Sequence, residues 1–174
     1  MLSIFLRKLM LAGQASFTEG EIKILQKYFY MHPLFDIITF QHDMRKSMNH
    51  KMLQILYENG KKTSEELIQH FKKLGITNRS PLLKIWVDLI NTFGIAQMEI
   101  VSIDEKTAKA WIRAKKSSFA REYISRYGKQ KEPVDFILAG AIAGFFSRYF
   151  DKSVKCKETS CVAKSELYCQ FAVA

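Results

Sequence analysis

The pattern of apolar and polar positions changes period several times along the chain, and each change marks an element. From Lys46 apolar side chains recur at helical spacing, with Met48, Met52, Leu53, Ile55 and Leu56 turned inward until Asn59-Gly60. Thr63-Ser-Glu-Glu66 has capping-box spacing and predicts a second helix, whose Leu67, Ile68, Phe71 and Leu74 form a stripe that ends at Gly75. A third helix starts at Ser80-Pro81, where proline suits the first turn, and ends at Phe93 before Gly94. The period then falls to two. Met98 to Ile103 and Thr107 to Ala114, joined by Asp104-Glu105-Lys106, read as a β-hairpin. Ser117-Ser118 caps a helix from Phe119 to Tyr127, and a longer helix runs from Pro133 to about Phe150, with Asp135 in its first turn. Ala139, Gly140, Ala141, Ala143 and Gly144 strip this last helix of bulk, so another element must approach it closely. Val154 to Val173 closes the chain as a second hairpin around Ala163-Lys164-Ser165-Glu166.

The first part is less regular. Met1 to about Leu11 reads as a short helix, broken at Gly13 to Ser16. Thr18-Glu-Gly-Glu21 has capping-box spacing and predicts a helix with Ile22, Leu25, Tyr28 and Phe29 on one side, ended by Pro33. Leu34 to Phe40, rich in β-branched and aromatic residues, predicts a strand. The fold class is α/β of the α+β kind: helices packed on a small, mostly antiparallel sheet, with a cysteine-containing C-terminal β-hairpin. Residues 1–45 are expected to be an N-terminal helical and dimerisation segment, and 46–174 the main domain.

All three cysteines lie in the C-terminal hairpin. Glu158, Cys161 and Cys169 offer a carboxylate and two thiolates, which are ordinary zinc donors, from the first strand, the turn and the second strand. Buried cysteines also pack as small apolar residues, so spacing alone leaves both readings open. Cys156, two residues before Glu158 and on the same strand face, is a candidate fourth donor. Three crowded cysteines make a poor disulfide framework, which favours reduced thiols and a cytoplasmic setting. The opening apolar stretch is interrupted by Arg7-Lys8 and lacks the order of a signal peptide. The apolar run Phe136 to Phe146 falls well short of the roughly 20 residues that span a bilayer. The net charge of +10 is spread over scattered Lys and Arg pairs, as expected of solvated faces.

From about Lys46 to Ala174 the order of motifs resembles the 4-vinyl reductase domain family. The resemblance is carried by Gly60, Phe93-Gly94 before the first hairpin, Ser118-Phe-Ala120, Gly140-Ala-Ile-Ala-Gly144-Phe145, and Glu158-x2-Cys161-x-Ala163-x5-Cys169-x-Phe171. That family includes sensor domains of aromatic-responsive activators and, more distantly, vesicle-tethering subunits. The resemblance implies a small, commonly dimeric α/β domain with a cavity for a hydrophobic ligand. It implies that Glu158, Cys161 and Cys169 are zinc ligands, and it places Asp135 where the sensors have a fourth, cysteine ligand. The turn departs from the family by having Ser165-Glu166 where glycine is usual.

The expected function is therefore a cytosolic module that binds or senses a hydrophobic small molecule, supported by structural zinc and working as a homodimer. Trp86, Phe93, Trp111, Phe119, Tyr123, Phe136 and Phe145 are the candidate lining residues, with a cavity expected between the third helix and the first hairpin. One alternative is a winged-helix DNA-binding regulator drawn over Met48 to Ile112, but the third helix is too apolar all round to read base edges, and nucleic acid is not the expected partner. The other is a zinc-dependent or reductase enzyme. No dinucleotide fingerprint or phosphate loop supports it.

Overall fold

The computed structural model describes residues 3–174, apart from the side chains of 48–50, so the expectation for Met48 lies outside the described residues. The elements are α1 (Ile4–Leu11), β1 (Ala15–Thr18), β2 (Glu21–Ile24), β3 (Lys27–Phe29), α2 (Leu34–Lys73), α3 (Arg79–Thr92), β4 (Ala96–Asp104), β5 (Lys109–Ser117), α4 (Ser118–Tyr127), α5 (Phe136–Tyr149), β6 (Cys156–Ser160), a 3-10 turn at Val162–Lys164, and β7 (Cys169–Val173). They form two antiparallel sheets, β1-β2-β3 and β4-β5-β7-β6, with the helices packed around the larger one. The expected α+β class, with cysteines in the C-terminal strands, is what the chain adopts.

Three local expectations are corrected. The segment after Thr18 is a pair of strands, because Leu25 and Gln26 both adopt positive φ (48° and 63°) and close a tight hairpin in which Ile22 faces Phe29. Leu34 to Phe40 is the start of α2, where Ile38 and Gln41, three residues apart, are both buried. Asn59-Gly60 does not end a helix and Thr63 does not begin one. α2 continues for 40 residues, through residue 45 as well as residue 60. The two helices that a winged-helix drawing needs before the third are thus a single helix.

The core lies between α2, α5, α3 and the four-stranded sheet. α5 is buried nearly all round, including Ile142, Ala143, Phe145 and Phe146. Trp86 of α3 stacks on Phe145 with ring centroids 4.2 Å apart. Asn91 pins α3 to β4 by accepting from the Met98 N–H at 2.7 Å and donating back to its carbonyl. Ser117 caps α4 as expected, its hydroxyl accepting from the Ala120 N–H at 3.0 Å. The turn before β7 is made without glycine, since Ser165 itself takes the left-handed conformation at φ 71°.

Candidate metal centre and ligand pockets

Alternation along β6 turns Cys156 and Glu158 inward, and the irregularity after Glu158 lets the chain fold back through Cys161 into the 3-10 turn. β7 then begins at Cys169, opposite Ala114 of β5. As a result the donor atoms of Glu158, Cys161 and Cys169 all lie within 4.8 Å of one another, and all three residues are buried. The two sulfurs are 4.0 Å apart. Glu158 Oε2 accepts from the Asp135 N–H at 3.0 Å, while Glu158 Oε1 is buried with no hydrogen-bond partner among the described residues. An orphaned carboxylate oxygen beside two thiols is what a metal ion would satisfy, so the residues present fit a metal.

The electrostatics agree. Burial, followed by the neighbouring Cys161, pushes Glu158 up to about 9, and burial with the Glu158 charge pushes Asp135 up to about 7. The hydrogen bond from the Cys169 thiol pulls Cys161 down to about 6, and the same bond raises Cys169. The charges that act on these groups are one another's, all of the same sign. A divalent cation would reverse that balance and hold the ligands deprotonated.

The two candidates for a fourth donor are separated by position. Asp135 is buried at the N-terminus of α5, beside Cys169 and Glu158, and its Oδ2 accepts from the Ser117 hydroxyl at 2.7 Å. It sits at the N-cap position rather than within the first turn, and its side chain makes no cap hydrogen bond. Cys156 stands outside the cluster. Its side chain borders a cleft, and its N–H donates to the Tyr57 hydroxyl at 2.9 Å.

The expected cavity between α3 and the β4–β5 hairpin is not where open space occurs; Met98, Ile112 and Ala114 are buried there and Asn91 bridges to the strand. Two clefts lie elsewhere. An apolar pocket of about 240 Å³ is bounded by Leu34 and Ile37 of α2, Ile90, Ile95 and Phe119, and it is closed by Asp135 to Ala141. A wider cleft of about 710 Å³ lies between Leu53 and Tyr57 of α2, Pro133 to Ala139, and Cys156 to Glu158. Asp135 borders both. Of the seven aromatic candidates, Phe119 borders the first and Phe136 the second. Trp86 and Phe145 form a core stack, and the buried Tyr123 hydroxyl lies 3.0 Å from His42 Nδ1. Phe93 is a surface residue stacked on Phe29, and Trp111 is two-fifths exposed. Ile37 and Tyr57 escaped the sequence reading. One lies in a segment assigned to a strand, and the other beside a glycine taken for a helix stop.

Residues 117–174 match the model of the 4-vinyl reductase domain, so the family resemblance read from the C-terminal motifs holds over that segment. The phenol-responsive sensory domain of the transcription activator PoxR, crystallised with phenol, has a similar fold with a TM-score of 0.82 at 14% identity, over 99% of this chain and 90% of that one. A trafficking protein particle complex subunit 3 from Naegleria fowleri, covalently bound to palmitic acid, gives 0.57 at 15% identity over 80% and 90%. A vinyl-4-reductase family protein from Methanocaldococcus jannaschii gives 0.55 at 17% over 84% and 83%. At these identities the likeness is one of fold, and with the PoxR domain it extends through the N-terminal sheet. No curated protein matches the chain.

Proposed function

We propose that this chain is a small-molecule-binding sensor module that encloses a hydrophobic ligand, of the size of a single aromatic ring, in the pocket between α2, Ile90, Phe119 and α5. The observation that carries this reading is the pocket's chemistry. Its walls are aliphatic or aromatic save for Asp135, a polar anchor of the kind that orients a ligand in an apolar site. The sensory-domain neighbour, crystallised with phenol, supports the same class of ligand.

Zinc is the proposed metal, held by Glu158, Cys161 and Cys169 with Asp135 as the fourth donor. Bound there, zinc supplies a cross-link between the C-terminal hairpin and the start of α5, beside the ligand. The reading is one of binding rather than turnover, since Glu158 serves as a ligand and not as a general base. A reducing, cytoplasmic setting keeps both thiols available. The proposed assembly is a homodimer in which residues 1–45 contribute to the contact.

Isothermal titration with phenol and toluene tests the ligand. Micromolar to millimolar binding that is lost in Ile37→Trp, which fills the pocket from its half-exposed rim, supports the proposal. Wild-type protein that binds neither compound, or an Ile37→Trp variant that binds them unchanged, overturns it.

A further inference from the structure

The wider cleft has a different chemistry from the pocket just described, and it continues beyond its apolar end. Down α2, Leu53, Tyr57 and Lys61 follow one another at a turn's spacing along its wall. Pro133, Phe136 and Ala139 complete the apolar end. Past Tyr57 the same trough runs into a groove of about 440 Å³ that shares Gln54, Tyr57, Cys156 and Lys157 with it and ends among Lys61, Lys155 and Lys157. Among the described residues, none of these three ammonium groups comes within ion-pair distance of a carboxylate.

The acids nearby are already engaged. Glu58 on the rim accepts from Gln54 Nε2 at 2.6 Å, Glu132 is paired with Arg45 at 2.5 Å, and Glu158 and Asp135 belong to the metal cluster. Tyr57 stands where the apolar and basic halves meet. Its oxygen accepts from the Cys156 N–H, and its own proton has no acceptor among the described residues. It is therefore free to donate to a ligand. An apolar trough that opens past a free phenol donor onto three uncompensated cations selects for a molecule with an apolar body and an anionic head.

We infer that this trough is a second ligand site, distinct from the aromatic pocket, for a single-chain carboxylate amphiphile of the medium-chain fatty-acid class. The tail lies against Leu53, Phe136 and Ala139, and the carboxylate accepts from the Tyr57 hydroxyl and from Lys61 and Lys157. Carboxylate recognition is the specific claim. A ligand joined covalently through Cys156, or held by its tail alone, would leave the cations without a role.

The experiment compares decanoate with 1-decanol on the intact chain by isothermal titration at low salt, with phenol as the competitor. Decanoate is expected to bind about tenfold or more tighter than decanol, because charge-assisted hydrogen bonds form only with the carboxylate. The double substitution Lys61→Gln with Lys157→Gln should erase that preference, and Tyr57→Phe should reduce it several-fold, both with phenol binding intact. The lysines lie on the surface, so the double variant is expected to fold. Equal binding of decanoate and decanol overturns the inference, as does a preference that survives the double substitution. Mutual competition between phenol and decanoate would merge the two sites and overturn it as well. Failure of phenol to bind at all would sink the proposed function but not this site.

Discussion

Gly140 of α5 lies directly against Tyr57 of α2, so close that a side chain on it would collide with the Tyr57 carbonyl oxygen. The contact is reciprocal. Gly60 of α2 meets the Ile137 carbonyl in the same way, and Gly144 meets that of Lys61. Two helices thus touch backbone to backbone, and this contact holds α2 alongside both clefts. In an ordinary helix Gly→Ala stabilises by about 1 kcal/mol. Here the obstacle is main chain, which cannot rotate away, so Gly140→Ala should destabilise by about 3 kcal/mol or more. Urea unfolding measures this, and an unchanged or raised midpoint would refute the close crossing.

The same contact shows how far the chain could be read. The bare stripe from Ala139 to Gly144 correctly announced a close neighbour, because small residues in a helix have few other uses. Gly60, the matching half of the contact, was read as a stop because Asn-Gly ends helices far more often than it lets two of them cross. Only the tertiary partner distinguishes the two uses. In the N-terminal part, Ile22, Tyr28 and Phe29 fit helical spacing by accident. The strands were decided by Leu25 and Gln26 entering positive φ, which neither residue type advertises. The metal cluster was legible because its donors sit close in sequence. The pockets were not, because their walls come from α2, α3, α4 and α5, which only the fold brings together.

The buried carboxyls predict how metal-free protein responds to pH. In the folded state Glu158 moves from its ordinary 4.5 to about 9, and Asp135 from 3.8 to about 7. Each keeps a proton that the unfolded chain has released, so each lowers stability as pH rises through that window. Cys161 acts oppositely, since at about 6 against an ordinary 9.0 it loses its proton first in the folded state. The two carboxyls act together between about pH 4.5 and 6, Cys161 offsets one of them from about 6 to 7, and Glu158 and Cys161 cancel above about 7. Metal-free stability should therefore fall by on the order of a few kcal/mol from about pH 5 to 7 and then level off. With zinc the trend inverts, because the metal binds the deprotonated ligands. Unfolding midpoints in chelator and in zinc measure both slopes, and a metal-free protein that gains stability over the lower range would contradict the clustering of these acids.

The N-terminal part of the molecule carries unpartnered apolar side chains. Tyr28 and Met31 are 71% and 85% exposed, and Phe40 on α2 is 55% exposed. Apolar residues gathered at one end of a fold commonly mark an interface, and a two-fold dimer is its commonest form. Sedimentation at micromolar concentration should give a dimer for the wild type and a 20.2 kDa species for Phe40→Lys with unchanged helix content. A wild-type protein that sediments as the monomer would remove the proposed assembly while leaving both ligand sites standing.

The choice of fourth zinc donor is decided by direction rather than by softness. Thiolate is the better zinc ligand in general, which favours Cys156. Yet Cys156 sits two residues along β6 from Glu158, outside the donor cluster, with burial and the Glu158 charge both raising its thiol. Asp135 approaches from α5, hydrogen-bonded to Ser117, and its own N–H already holds Glu158. A metal bound through Asp135 joins the hairpin to the helix that walls both clefts, so its loss should also loosen the ligand sites. Zinc content after purification without chelator should be near one per chain in the wild type and in Cys156→Ala, near zero in Cys161→Ala, and reduced at least tenfold in affinity in Asp135→Ala. Asp135→Asn keeps the Ser117 contact but lacks the charge, and it should fold while binding zinc weakly. Full zinc affinity in both Asp135 variants, with loss in Cys156→Ala, would move the fourth ligand onto β6 and make the site local to the hairpin.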